Sequence, residues 1–263
     1  MKLNYSGKNA LVLGGSKGIG FGIAKGLAEA GVNVCMVARD EVRLEAAVNE
    51  VRKDSSVSVS GLSADLGRID DIRRVYDYAR EVMGSVDILI NNAGGPKYGH
   101  FLDLTEDDWQ NTIDLTLMST VRMTTLAVPS MKKSGWGRIL TITSATAKEP
   151  VAPMVLSCTA RAGVTAFMKA IATELAPAGV TANVVAPGGV LTDRIRSLVK
   201  TKADIDGVAY DDLMRQNEQT IPIGRFATPE EFSSYVLFLC SDEARYITGT
   251  CLNVDGGLSK SVF

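Results

Sequence analysis

Short apolar runs alternate along this chain with longer stretches in which apolar residues recur at every third or fourth position. The runs Asn9–Leu13, 32–37, 57–62, 86–90, 138–143, 181–185 and Cys251–Val254 predict strands. Between them, Ile72, Val75, Tyr76, Ala79, Val82 and Met83 share one face of a predicted helix, as do Val164, Phe167, Met168, Ile171 and Leu175.

Regular alternation of strand and helix predicts a parallel sheet covered on both faces, because each crossover helix must pack back onto the sheet. The expected architecture is one α/β domain over residues 1–263, a doubly wound Rossmann-type fold with a mainly parallel seven-stranded sheet. No internal repeat or low-complexity linker interrupts it. The most polar long stretch, 192–219, mixes Arg194, Arg196, Lys200, Lys202, Asp204, Asp206, Asp211 and Asp212. It reads as solvated surface helices or, from its place after a strand end, as a flap over a substrate pocket.

Composition narrows the class. The 263 residues are 46% hydrophobic, enough for one sizeable core. A net charge of -2 from 28 basic and 30 acidic residues argues against nucleic-acid or membrane partners. Cys35, Cys158, Cys240 and Cys251 are scattered among apolar neighbours, which favours buried thiols in a reducing compartment over disulfides or a metal site. The start of the chain, Met1 to Ser6, carries no apolar leader pattern, and no apolar run reaches the roughly 18 residues of a membrane span. A soluble, cytoplasmic protein is expected.

The segment 13–20 ends a predicted strand and opens a predicted helix, and it reads Gly14-Gly15-Ser16-Lys17-Gly18-Ile19-Gly20. Glycines there let backbone N–H groups approach a pyrophosphate while the helix N-terminus adds partial positive charge. After the second strand comes Arg39, where an acidic residue would instead accept hydrogen bonds from a ribose. Arg39 with Lys17 supplies two cations for a ribose 2′-phosphate, so NADP(H) is expected over NAD(H). Asp40 follows and is free to point elsewhere.

With this turn, the later Asn91-Asn92-Ala93-Gly94 and the 138–144 strand ending in Ser144, the chain resembles the short-chain dehydrogenase/reductase family almost end to end. It looks most like a divergent member of the 3-oxoacyl-carrier-protein reductase branch. The resemblance implies that Asp65 and Leu66 contact the adenine and that Asn92, Ala93 and Gly94 line the adenosine side. It further implies that Pro187, Gly188, Val190 and Thr192 hold the nicotinamide end. Leu13 departs from the family's usual threonine.

The family's chemistry rests on four residues, and only one of them is present. Ser144 stands at the serine position, whereas Thr116 replaces an asparagine, Ser157 the proton-donating tyrosine and Arg161 the lysine beside it. Ser157 and Arg161 are four apart and share a helix face. Arg161 can donate to ribose hydroxyls but holds its proton, and Ser157 is a far weaker acid than a phenol. The loop 95–100 reads either as a surface loop with a satisfied His100 and a packed Tyr98 or as the source of a substitute acid, with Tyr98 favoured. His100 also titrates, and Lys97 can bind a substrate anion.

The resemblance thus implies an NADP(H)-dependent enzyme interconverting a carbonyl and an alcohol at a non-standard site. Two alternatives stay open: a cofactor-binding subunit or regulator without turnover, and a redox-neutral or dehydrating enzyme. A homodimer or homotetramer is implied, or pairing with an active homologue, with 115–131 and Val155–Leu175 as apolar contact segments.

Overall fold

Seven strands form one sheet among the described residues: β1 (Asn9–Leu13), β2 (Asn33–Ala38), β3 (Val59–Ser63), β4 (Ile88–Asn91), β5 (Gly137–Ile142), β6 (Val180–Pro187) and β7 (Cys251–Val254). Their order is β3-β2-β1-β4-β5-β6-β7, and every pairing is parallel, so the sheet is wholly rather than mainly parallel. The structure is a computed structural model describing residues 3–5 and 7–262, so the reading of residues 1–6 falls partly outside the described residues. Strand limits differ from the sequence expectation by one or two residues, the scale on which element ends fray.

Period-two alternation divides the core. Ala10 and Val12 of β1, with Val34 and Met36 of β2, face α1 (Gly18–Glu29), α2 (Glu41–Lys53) and α9 (Pro229–Cys240). Leu11, Leu13, Cys35 and Val37 face α3 (Ile69–Met83), α5 (Ser119–Ser134) and α6 (Val155–Leu175) on the other side. Both faces are therefore dry, and near-continuous apolar strands are stable only between such layers. On α3 the expected face holds at Ile72, Val75, Tyr76 and Ala79, but Val82 is solvent-exposed because it lies past the edge of the sheet. The segments read as contact surfaces bury Met123, Ala127, Met131, Val164 and Met168 in the core.

One stretch, Val155–Ala178, is long and apolar enough by length and composition to cross a membrane, contrary to the sequence expectation. It is α6 and the turn that follows, packed on β6, and it carries the buried Arg161. The four cysteines are free, three of them buried, and burial pushes the Cys35 thiol up to about 11.

Short α4 (Glu106–Thr112) runs into a π-helical turn, Ile113–Met118, before α5. The polar stretch forms α7 (Asp193–Asp206) and α8 (Tyr210–Thr220), joined through Gly207 at φ 66. Val199, Ala203 and Leu213 give this helix pair a small apolar cluster of its own. The strand order reverses between β1 and β4, which opens a crevice at the carboxyl ends of the strands.

Candidate active site

A cavity of about 730 Å³ occupies that crevice. Its floor is the turn after β1. Gly14 adopts φ 62, and a Cβ there would sit 2.6 Å from Asn92 Nδ2, so only glycine fits. Asn92 Nδ2 donates to the carbonyls of Leu13 and Gly14 at 3.3 and 3.2 Å, tying the end of β4 to the turn. A Cβ on Gly20 would lie 2.1 Å from the Gly14 carbonyl oxygen, which is how α1 starts so close to the strand. Gly14, Ser16, Lys17, Gly18 and Ile19 line the cavity, while Gly20 lies just behind it. The N-cap of α1 is Lys17, which makes no side-chain cap, and its first turn holds no acid. The helix therefore presents its N-terminal N–H groups and positive dipole end to the cavity.

The end of β2 adds charge. Arg39 lines the cavity, as do Asp40 and Arg43. Asp40 does point elsewhere: it caps α2, its carboxylate accepting from Arg43 N at 3.0 Å. Arg43 was not anticipated, although its place one helical turn after Arg39 was a readable signal. Arg43 Nη1 and Lys17 Nζ lie 3.5 and 3.7 Å from Asp193, the first residue of α7. An uncapped helix start, a glycine turn and three basic side chains are the donor set of a phosphorylated dinucleotide.

Ala64 and Leu66 line the wall beyond β3, but Asp65 does not. Its carboxylate accepts from Gly67 N at 3.0 Å, and its own N–H donates to Asp71, so the local turn uses the group expected at the adenine. Asn92, Ala93 and Gly94 line the opposite wall, followed by Pro187, Gly188, Val190 and Thr192. Thr192 caps α7, accepting from Ile195 N at 3.5 Å.

At the far end Ser144, Ser157 and Arg161 come together. Ser144 Oγ accepts from the N–H and hydroxyl of Thr146 at 3.2 and 2.9 Å. Ser157 and Arg161 are only 5% and 9% exposed. Arg161 turns into the protein. Its Nη1 donates to the Ile142 and Thr143 carbonyls at 3.0 and 2.6 Å, and its Nε to Ser157 Oγ at 3.2 Å. Only Nη2 is left for a ligand, so the broad ribose-binding role expected of this side chain is cut to one amino group. Burial first, then the charge of Arg194, pulls the guanidinium down to about 10, and it remains a cation at neutral pH.

Behind Arg161 lies a second cavity of about 10 Å³, lined by Asn91, Thr116, Thr141 and Thr143 among others. Asn91 Oδ1, Thr116 Oγ1 and Thr143 Oγ1 are buried without a protein partner, and the space suits about one water. Thr116 therefore backs the site rather than lining the main cavity.

Of the loop read for a substitute acid, Gly95 lines the cavity but Lys97, Tyr98 and His100 do not. Tyr98 is half-buried outside the cavity lining and interacts electrostatically with Lys202 of α7. Lys97 is held by Asp108 at 2.8 Å, and His100 is exposed. The physical reason is the bridge from Gly99 to Met154, which lays this loop along the start of α6. From the polar stretch, Arg194 Nη2 donates to the Pro96 carbonyl at 2.8 Å and its guanidinium lies over Gly95.

Comparison with known proteins agrees with this geometry. A family model described as enoyl-(acyl carrier protein) reductase matches residues 14–259. The chain is 34% identical to a 3-oxoacyl-(acyl-carrier-protein) reductase of Aquifex aeolicus, over 98% of this chain and 100% of that one. It is 35% identical to D-beta-hydroxybutyrate dehydrogenase of Cupriavidus necator, over 96% of this chain and 98% of the relative. L-sorbose reductase from Gluconobacter frateurii, solved with NADPH and L-sorbose, superposes with a TM-score of 0.95 at 31% identity, each chain covered completely.

Proposed function

The chain belongs to the short-chain dehydrogenase/reductase family, and from that premise we propose that it is an NADP(H)-dependent oxidoreductase interconverting a carbonyl and an alcohol. One observation carries the reading. A single cavity runs from the cations Lys17, Arg39 and Arg43 to the Ser144–Ser157–Arg161 cluster. Cofactor and substrate thus share one enclosure, which is what near-attack geometry requires. The sorbose reductase solved with NADPH supports the choice of cofactor.

A nicotinamide bound there supplies or takes up the hydride. The chain's own groups handle the substrate oxygen. Ser144 and Ser157 both use Oγ as an acceptor within the protein, which leaves each hydroxyl proton to donate into the cavity. Two such donors stabilise negative charge developing on that oxygen, and the Arg161 cation behind Ser157 polarises its hydroxyl further. With Oγ accepting from the Arg161 Nε–H, the Ser157 hydroxyl proton is free to serve as a donor. Neither serine is acidic enough to lose its proton outright, so the proton consumed in a reduction comes from solvent.

Cytoplasmic residence belongs to the same reading, supported by the free cysteines, and so does a homodimer or homotetramer, which the family resemblance implies. Arg161 bonding the Ile142 and Thr143 carbonyls also favours a second reading, a cofactor-binding subunit without turnover, paired with an active homologue. NADPH titration by fluorescence, followed by turnover with a ketone and aldehyde panel, separates them. Tight NADPH binding with oxidation of NADPH is expected. Binding without oxidation by any member overturns the enzymatic reading.

A further inference from the structure

Charge is distributed unevenly in this molecule. The whole chain carries -2, yet Lys17, Arg39, Arg43, Arg161 and Arg194 line the cavity against only Asp40 and Asp193. Both of those carboxylates are already engaged at the cofactor end, Asp40 with Arg43 and Asp193 with Arg43 and Lys17.

The chemical end is different. Arg161 and Arg194 have no acidic partner among the described residues. Their hydrogen bonds go only to the carbonyls of Ile142, Thr143 and Pro96 and to Ser157 Oγ. Arg161 is buried, and the Arg194 charge acts on it unfavourably. A desolvated cation without an anion is costly, and a second cation nearby raises the cost. An anion placed between them converts that mutual repulsion into two attractions. Both side chains line the cavity with donors to spare: Arg161 Nη2 is left by the bonds above, and Arg194 spends only one Nη2 donor on Pro96. A guanidinium's planar donors match a carboxylate. The cofactor's own anionic groups are provided for at the other end, by the α1 N-terminus and the three basic residues there.

We propose that Arg161 and Arg194 form a carboxylate-binding pair beside Ser144 and Ser157, so that the substrate is an oxo acid or the corresponding hydroxy acid. The inference rests on the oxidoreductase reading of the same site. Carbonyl and carboxylate are then held together, the first on the two serine hydroxyls and the second on the two arginines. Arg194 is a specificity-determining residue in this arrangement, and its grip on Pro96 places it at the cavity mouth.

The test uses matched probes, pyruvate, acetoacetate and levulinate, each against its methyl ester. Binding is measured by calorimetry with NADP+ present, and kcat/KM by NADPH oxidation. At least one acid is expected to outbind its ester by about tenfold or more. In Arg194→Gln that ratio falls by about tenfold, in Arg194→Lys it is partly kept, and the affinity for NADPH alone stays within about twofold. Arg161→Lys, checked for folding by circular dichroism, also lowers the ratio. Equal binding of acids and esters at every length overturns the proposal. So does an Arg194→Gln variant that loses NADPH affinity instead, because the pair then serves the cofactor. Acids that bind without NADPH oxidation refute the oxidoreductase reading and leave the anion pair standing. Oxidation with no preference for acids does the reverse.

Discussion

Arg161 Nε donates to Ser157 Oγ at 3.2 Å across one turn of α6. The contact turns a permanent cation and a poor acid into one unit. The Arg161 Nε–H takes up one acceptor site of the serine oxygen, and the charge stands beside the hydroxyl.

Ser157→Ala removes that hydroxyl. Loss of one donor to a developing oxyanion lowers rates by about 10²–10³-fold. A fall of about 100-fold in kcat is expected, with NADPH affinity unchanged and Ser157→Thr retaining part of the rate. An unaltered kcat in Ser157→Ala shows that the hydroxyl does not reach the reacting oxygen.

Arg39→Ala tests cofactor choice. Hydrogen bonds to charged groups contribute about 1.5–3 kcal/mol, or tenfold and more in affinity. NADPH binding is expected to weaken by at least about tenfold while NADH binding changes little, and Arg43→Ala should act in the same direction. Equal losses for both cofactors remove the 2′-phosphate from the argument.

Gly20→Ala places a Cβ 2.1 Å from the Gly14 carbonyl oxygen and 2.8 Å from Asn92 Nδ2. Backbone cannot yield as a flexible side chain does, so α1 must shift off the turn at a cost of about 1–3 kcal/mol. Thermal denaturation should show a Tm lower by several degrees, and NADPH affinity should fall with it. A variant with wild-type Tm and affinity contradicts the tight approach.

Acid stability carries the mark of Glu231. Its carboxylate takes two hydrogen bonds from Arg225, at 2.8 and 2.7 Å, and closes the capping box of α9 with Thr228. Arg225 first, then the Thr228 N–H, hold it at about 2 against an ordinary 4.5. A depressed folded value means that the stabilisation is complete above the unfolded value. It is lost as pH falls from 4.5 through about 2. Glu231→Gln should therefore flatten that part of the stability profile, measured by urea midpoints across the range. An unchanged slope sinks the assignment.

The parts of the site legible in the chain were the local ones. Gly14 and Gly18 declare a turn because each takes a left-handed φ, 62 and 55, that glycine adopts at little cost. Ser157 and Arg161 share a face because helical spacing requires it. Asp65 was expected at the adenine but is claimed by the turn at Gly67, and Tyr98, read as either a packed loop residue or a substitute acid, lies in the loop running along α6. Arg43 was not foreseen at the site, and Asp193 and Arg194 were read there only as part of the 192–219 flap; they stand in the first turns of α2 and α7, far apart in sequence. Only the packing of α7 across the crevice brings them together.

Periodicity and glycine placement by themselves determined the alternation of strands and helices and a phosphate-binding turn, because both patterns are written in residues a few positions apart. The exchange of a tyrosine and a lysine for Ser157 and Arg161 was equally plain. What the exchange means chemically was decided by tertiary structure. Arg161 meets the carbonyls of Ile142 and Thr143 and the charge of Arg194 only after β5, α6 and α7 have packed around it. Burial without a counter-ion is a property of that assembled environment, and no spacing along the chain encodes it.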